Sequence, residues 1–281
     1  MLNNDNCICC GEKTTLKAFK FNVSDVFICK NSCIFSKPKV DTNSLYSSEY
    51  FKQNYNSISI AQEKKSRLLF SFIKQYISEG SILDYGCGTG TFLKCAEEEG
   101  FKENAGVDVS DYSISVAKSK TKHCTYFFNG DTLSSKKFDC ISFIDSIAHI
   151  ETINDTLSNL IHSHLNTNGL ILIRTPNINQ LYIFYVTLLR FILPNRYLSS
   201  FFFIPNRLFL FNKKSISLFL GKHNLSIVKL FFESDYKRPS SHYTIRSFFK
   251  HFIQDILRFK IPRLINSKNS MTVIAKLGTA N

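Results

Sequence analysis

The stretch Ile82-Leu83-Asp84-Tyr85-Gly86-Cys87-Gly88-Thr89-Gly90 runs from apolar strand residues into an acid and then into glycines at alternate positions. Glycine lacks the Cβ that blocks a tight turn, so this pattern brings main chain close against a ligand. Asp108, 18 residues beyond Gly90 in the segment GVDVS, falls at the end of the next apolar run. A carboxylate there accepts hydrogen bonds from both hydroxyls of a ribose.

The third glycine narrows the choice of nucleotide. A dinucleotide fingerprint, G-x-G-x-x-G, needs glycine at position 91, which is Thr91. The spacing is wrong for NAD. A G-x-G-x-G loop preceded by Asp84 suits S-adenosylmethionine, a cofactor without a pyrophosphate to cradle.

Outward from this loop, short apolar runs near 81–85, 104–109, 124–128, 138–144 and 169–174 alternate with helical patterns. Strands spaced by helices predict a parallel sheet built from βαβ units. Before the loop, Leu68, Leu69, Phe72, Ile73, Tyr76 and Ile77 recur at helical spacing and predict an amphipathic helix over 61–78. Ser110 or Asp111 is expected to cap the helix after the second strand, and Asn154 or Asp155 the one after the fourth. A helix near 215–223 and strands near 225–233 and 271–276 complete seven strands.

Residues 178–211 interrupt this rhythm with Phe, Leu, Ile and Tyr. A membrane span needs roughly 20 unbroken apolar residues, and Arg190, Pro194, Asn195 and Arg196 break the run. The stretch reads as a lid over the active site or as a helix lying on a membrane surface.

Composition sets broader bounds. The chain has 281 residues, 44% of them hydrophobic and 20% charged, the balance of a globular protein with a real core. Its formal charge of +13 attracts nucleic acid, anionic lipid or phosphorylated substrates without choosing among them. The opening residues MLNNDNCICCGEK carry no basic start with an apolar run, so a cytoplasmic location is expected, with peripheral attachment at the inner face of the membrane as the variant.

Nine cysteines without an export signal point to reduced thiols and metal ligation. Cys7 and Cys10 form C-x-x-C before Gly11, and Cys29 and Cys33 form C-x-x-x-C 18 residues on from Cys10 to Cys29 inclusive of neither end. Two such pairs fit a tetrahedral zinc ribbon, in which Cys9 is an alternative ligand. A metal-free relic of that ribbon is the other reading. Cys87, Cys95, Cys124 and Cys140 read as small buried hydrophobes.

Together these blocks resemble class I S-adenosylmethionine-dependent methyltransferases over residues 60–276. The resemblance implies an α/β, Rossmann-like, mostly parallel seven-stranded sheet with helices on both faces. It divides the chain into a cysteine-rich module at 1–38, a linker and aromatic cofactor-covering segment at 39–60, and a methyltransferase domain at 61–281 with the apolar insertion at 178–211. It places Gly86, Gly88 and Gly90 at the methionine part of the cofactor, Asp108 at the ribose and Asp131 beside the adenine, with Asp84 among the cofactor-binding residues. FDCISFIDSIAHI at 138–150, HLNTNGLILIRTPN at 164–177 and RLFLFNKKSI at 207–216 match the later blocks in order.

His149, after the fourth strand, is the candidate base, because an imidazole titrates near 6.5. The family often carries Glu-His or His-His there, whereas this chain has Ala148 before it. Asp145 contacts the cofactor's amino group or closes the strand. Tyr50, with Tyr46 and Phe51 in LYSSEYF, is placed to shield the sulfonium. The cysteine module and TPN at 175–177 resemble bacterial enzymes of surface glycan assembly, which implies a saccharide or other small-molecule acceptor.

An RNA methyltransferase is the rival reading, favoured by the basic balance and the cysteine module. Against it, Asp145-Ser146-Ile147-Ala148 stands where base amino-group enzymes carry Asn/Asp-Pro-Pro-aromatic. A lipid-linked acceptor is the third reading, motivated by the apolar stretch.

Overall fold

The computed structural model describes residues 6–11, 17–39, 59–128, 133, 136–178, 180–191, 198, 202, 204, 207–233 and 270–278. By their internal contacts the residues form two units. The first comprises Met1–Val40, Pro176–Ile216 and Phe231–Met271; the second comprises Asp41–Thr175, Ser217–Leu230 and Thr272–Asn281.

In chain order the elements are β1 (Lys17–Lys20), β2 (Ser24–Ile28), β3 (Ile34–Pro38), α1 (Ser59–Ile73), β4 (Ile82–Tyr85), α2 (Thr91–Glu98), β5 (Ala105–Asp108), α3 (Asp111–Lys120), β6 (Thr125–Phe128) and β7 (Phe138–Ile144). There follow a 3-10 turn at Ile147–His149, α4 (Ile153–Asn159), β8 (Leu165–Pro176), α5 (Gln180–Leu189), β9 (Phe209–Leu210), α6 (Lys213–Lys222), β10 (Leu225–Glu233) and β11 (Ser270–Leu277).

The expected sheet is present, with seven strands in the order β10-β11-β8-β7-β4-β5-β6. β4 pairs in parallel with β5 on one side and β7 on the other, and β5–β6 and β7–β8 are also parallel. Central strands of such a sheet are covered on both faces, which is why they read as continuous apolar runs. Ile82, Leu83, Ile141, Phe143 and Leu170 through Ile173 are fully buried, each worth roughly 1.5–3 kcal/mol. Phe70 of α1 stacks on Phe92 of α2 at 4.7 Å, so the helix before the loop supports the helix after it.

Ser110 caps α3, its hydroxyl accepting from the Ser113 amide at 3.2 Å. The expected cap at Asn154 or Asp155 does not form: α4 starts at Ile153, and the side-chain Oδ1 of Asn154 faces His223 Nε2 at 3.1 Å instead.

In the first unit, β1, β2 and β3 make an antiparallel sheet that β9 extends through its pairing with β3. Ile178, Tyr182, Val186, Leu189, Leu198, Phe202 and Leu210 share one core with Phe19, Phe21, Val26 and Ile34. These described residues of the apolar stretch 178–211 thus pack with the strands of the cysteine-bearing segment. No helix among the described residues is long and apolar enough to cross a membrane.

Candidate active site

The site is built at the carboxyl ends of β4, β5 and β7, where the chain leaves a parallel sheet and strand order reverses. Gly86 and Cys87 both donate their amides to the Val107 carbonyl, at 2.8 and 2.9 Å, which folds the loop onto β5. Gly86 has φ +83°, and a Cβ there would lie 2.4 Å from Ser146 Cβ. Gly90 has φ +73°, and its Cβ would lie 2.7 Å from Ala117 Cβ. No other residue meets both demands.

Asp108 lies under the loop. Its Oδ2 accepts from the Gly88 amide at 2.8 Å and its Oδ1 from the Ser110 amide at 2.9 Å. An ionised carboxylate has about four acceptor positions, so these two bonds aim the group and leave capacity for hydroxyls. Burial pushes the Asp108 carboxyl up, opposed by the backbone amides of Gly88, Ser110 and Val109.

Asp84 is fully buried and points to the neighbouring strand, where Ser142 donates its hydroxyl at 2.7 Å. Burial pushes its carboxyl from the ordinary 3.8 up to about 7, with Ser142 opposing and Asp108 adding to the rise. Two acids held close in a dry site favour a cation beside them.

Asp145, directly after β7, adopts φ +59°, a left-handed backbone rare outside glycine. Its carboxylate is held by Arg174 at the end of β8, with Lys65 at 3.8 Å. His149 stands on the 3-10 turn that follows, its amide bonded to the Ser146 carbonyl at 2.9 Å and its ring half-buried. Asp131 and Tyr50, with Tyr46 and Phe51, lie outside the described residues.

Three residues that the sequence reading passed over complete the site. Ser146 donates its hydroxyl to the Tyr85 carbonyl and fills the space that Gly86 leaves. Ser142 holds Asp84, and Arg174 holds Asp145. Only strand register brings them into contact, as with Asp84 opposite Ser142. Lys120 also reaches the loop, donating to Thr89 Oγ1 at 3.0 Å.

A family model described as a methyltransferase domain matches residues 58–230. The chain belongs to this methyltransferase domain family. The methyltransferase is 29% identical over 107 residues to the ubiquinone biosynthesis O-methyltransferase of Rickettsia canadensis, covering 36% of this chain and 44% of that one. It is 34% identical over 58 residues to the ribosomal protein L11 methyltransferase of Thermotoga petrophila, covering 20% and 22%. These matches span less than half the length of either relative. Among solved structures, a complex between the Haloferax volcanii Trm112 methyltransferase activator and a methyltransferase superposes with a TM-score of 0.57 at 10% identity, covering 86% of this chain and 100% of that one. An S-adenosylmethionine-dependent methyltransferase from Archaeoglobus fulgidus gives 0.51 at 21%, covering 76% and 93%. The fold is therefore that of the S-adenosylmethionine-dependent enzymes.

The cysteine cluster belongs to the first unit. The Gly11 amide donates to the Cys7 carbonyl at 2.8 Å, and the Cys29 amide donates to the Cys33 carbonyl across the β2–β3 turn at 3.0 Å. The sulfurs of Cys7, Cys10 and Cys29 lie within 4.8 Å of one another. Zinc–thiolate bonds of about 2.3 Å put tetrahedral sulfurs about 3.8 Å apart, so these three fit a zinc ion. The sulfurs of Cys9 and Cys33 are bonded to each other and both lie within 4.8 Å of that of Cys7, so either can be the fourth thiolate once the pair is reduced.

Proposed function

We propose that the chain transfers a methyl group from S-adenosylmethionine to a small-molecule acceptor, a saccharide or glycan precursor. The observation that carries this reading is the loop at Gly86–Gly90 closed over a carboxylate, Asp108, that its own amides aim. Asp108 would take the ribose hydroxyls, Gly86, Gly88 and Gly90 would admit the methionine part, and Asp84 would sit near its cationic end. When bound, the cofactor supplies a methyl group on a positively charged sulfur that departs as a neutral thioether.

With so good a leaving group, alignment at about 3–3.5 Å does most of the work left to the protein. For a hydroxyl acceptor, a base must also take the proton, and His149 is assigned that role. Asp145 would hold the amino group or the acceptor, steadied by Arg174 and Lys65. The Rickettsia relative, by its name an O-methyltransferase, supports an oxygen acceptor. A structural zinc on Cys7, Cys10 and Cys29, with Cys33 or Cys9 as fourth ligand, is assigned to the first unit.

The test is an acceptor screen in which formation of S-adenosylhomocysteine is measured with nucleotide sugars, lipid-linked saccharides and RNA. Turnover with a saccharide and loss of it in His149→Ala support the assignment. Turnover with RNA alone would replace it with the rival reading.

A further inference from the structure

Helix α5 is apolar on both sides. Tyr182, Val186 and Leu189 turn into the core of the first unit, as residues on one helical face do. On the opposite face stand Leu181, Phe184 and Leu188, and, in the turn that closes the helix, Phe191. They are 64%, 63%, 47% and 83% exposed. Single exposed hydrophobes are ordinary, but four large ones at spacings of three, four and three make a contiguous stripe. The hydroxyl on this side, Thr187, donates back to the Ile183 carbonyl at 2.8 Å, so the helix satisfies it internally.

Charge is divided as unevenly as apolar surface. The chain has 35 Lys and Arg against 22 Asp and Glu. Among the described residues, the first unit holds 9 basic and 2 acidic residues, and the second holds 15 and 13. The positive excess among the described residues therefore lies mainly in the unit that carries the stripe.

A second protein would cover the stripe, but protein interfaces intersperse about one hydrogen bond per 100–200 Å², which this face does not invite. Single-stranded RNA would use the charge and stack bases on Phe184 and Phe191, but it would leave the aliphatic Leu181 and Leu188 unused. An anionic bilayer uses both: acyl chains take the apolar side chains, and headgroup phosphates take Lys and Arg. A ten-residue helix is about 15 Å long, about half the thickness of the hydrocarbon layer, so it lies in the interface plane.

We propose that α5 docks the protein onto anionic membrane, with Leu181, Phe184, Leu188 and Phe191 entering the bilayer surface and the cationic residues of the same unit holding the headgroups. This goes beyond the methyl-transfer reading and is read out separately from it, by vesicle binding in place of donor binding.

The full-length protein is spun with vesicles of phosphatidylcholine alone or mixed with phosphatidylglycerol. It is expected to pellet with the mixed vesicles and to do so less as salt rises. Binding should fall by about tenfold or more in Phe184→Ser/Phe191→Ser, which removes two exposed rings. Unchanged melting and donor affinity in this variant show that the fold is intact. Three results would overturn the proposal: no pelleting of the wild type, equal pelleting of the double variant, or a solution dimer that the double variant dissociates. The last would give the stripe to a second copy of the chain.

Discussion

Arg174 and Asp145 hold each other at the ends of adjacent parallel strands. The Arg174 guanidinium grips both carboxylate oxygens, while the Asp145 amide donates to the Arg174 carbonyl at 2.8 Å. The arginine is almost wholly buried, whereas the aspartate side chain is 39% exposed, so the pair carries a charge from the sheet interior to the site. It also holds Asp145 in its left-handed backbone.

Asp145→Ala is expected to lower stability by about 3 kcal/mol, because it strands a buried guanidinium. Asp145→Gly removes the same carboxylate but relieves the positive φ, and should be about 1 kcal/mol less harmful. Thermal melts of the two variants check this. An alanine variant as stable as the glycine one would show that the backbone at 145 costs nothing.

A Cβ at position 86 meets Ser146, so Gly86→Ala should weaken donor binding by at least about tenfold through displacement of the loop. Removing the obstructing side chain, in Gly86→Ala/Ser146→Gly, should recover part of the loss. What remains reflects φ +83° alone. Calorimetry on both variants measures the coupling, and no recovery would detach Ser146 from the loop.

Asp84 gives donor binding a pH dependence. Its carboxyl is held at about 7 when folded, against 3.8 ordinarily. The folded chain therefore keeps a proton that the unfolded chain releases, and stability falls as pH rises from about 4 to about 7, by a few kcal/mol at about 1.4 kcal/mol per pKa unit. A cationic donor favours the ionised carboxyl, so its binding expels the proton. Affinity should rise with pH up to about 7 and then level off. In Asp84→Asn both slopes should become shallower, leaving the part that Asp108 contributes; a flat profile in the wild type would remove Asp84 from the cofactor's surroundings.

The parts that the sequence made legible are those encoded locally. Ile82–Tyr85, Phe138–Ile144 and Met271–Lys276 are short apolar runs bounded by turn residues, and all fall in strands. The glycine loop and Asp108 follow from spacing, and the structure joins them through Gly88. Ser142, Ser146 and Arg174 escaped because their partners lie 58, 61 and 29 residues away. The stretch 178–211 gave no sign of its partners for the same reason: no local signal says that Tyr182 and Val186 share a core with Phe19 and Val26. In the cysteine module, spacing chose Cys33, but the fold also brings Cys9 beside it.

Metal analysis separates the cysteine roles. Protein purified under reducing conditions should carry one zinc per chain, lost in Cys7→Ser and Cys29→Ser, whose sulfurs converge with that of Cys10. Cys9→Ser and Cys33→Ser, tested singly, identify the fourth ligand as the variant that loses metal. Zinc-free wild-type protein would leave the cluster without a metal role.

The most direct measurement is calorimetric titration of S-adenosylmethionine into the wild type and Asp108→Ala. Saturable binding to the wild type is expected, weakened about 100-fold in the variant, as loss of charge-assisted hydrogen bonds worth about 1.5–3 kcal/mol each requires. Equal affinity in the two proteins, or no binding to the wild type, would contradict a cofactor pocket between the glycine loop and Asp108.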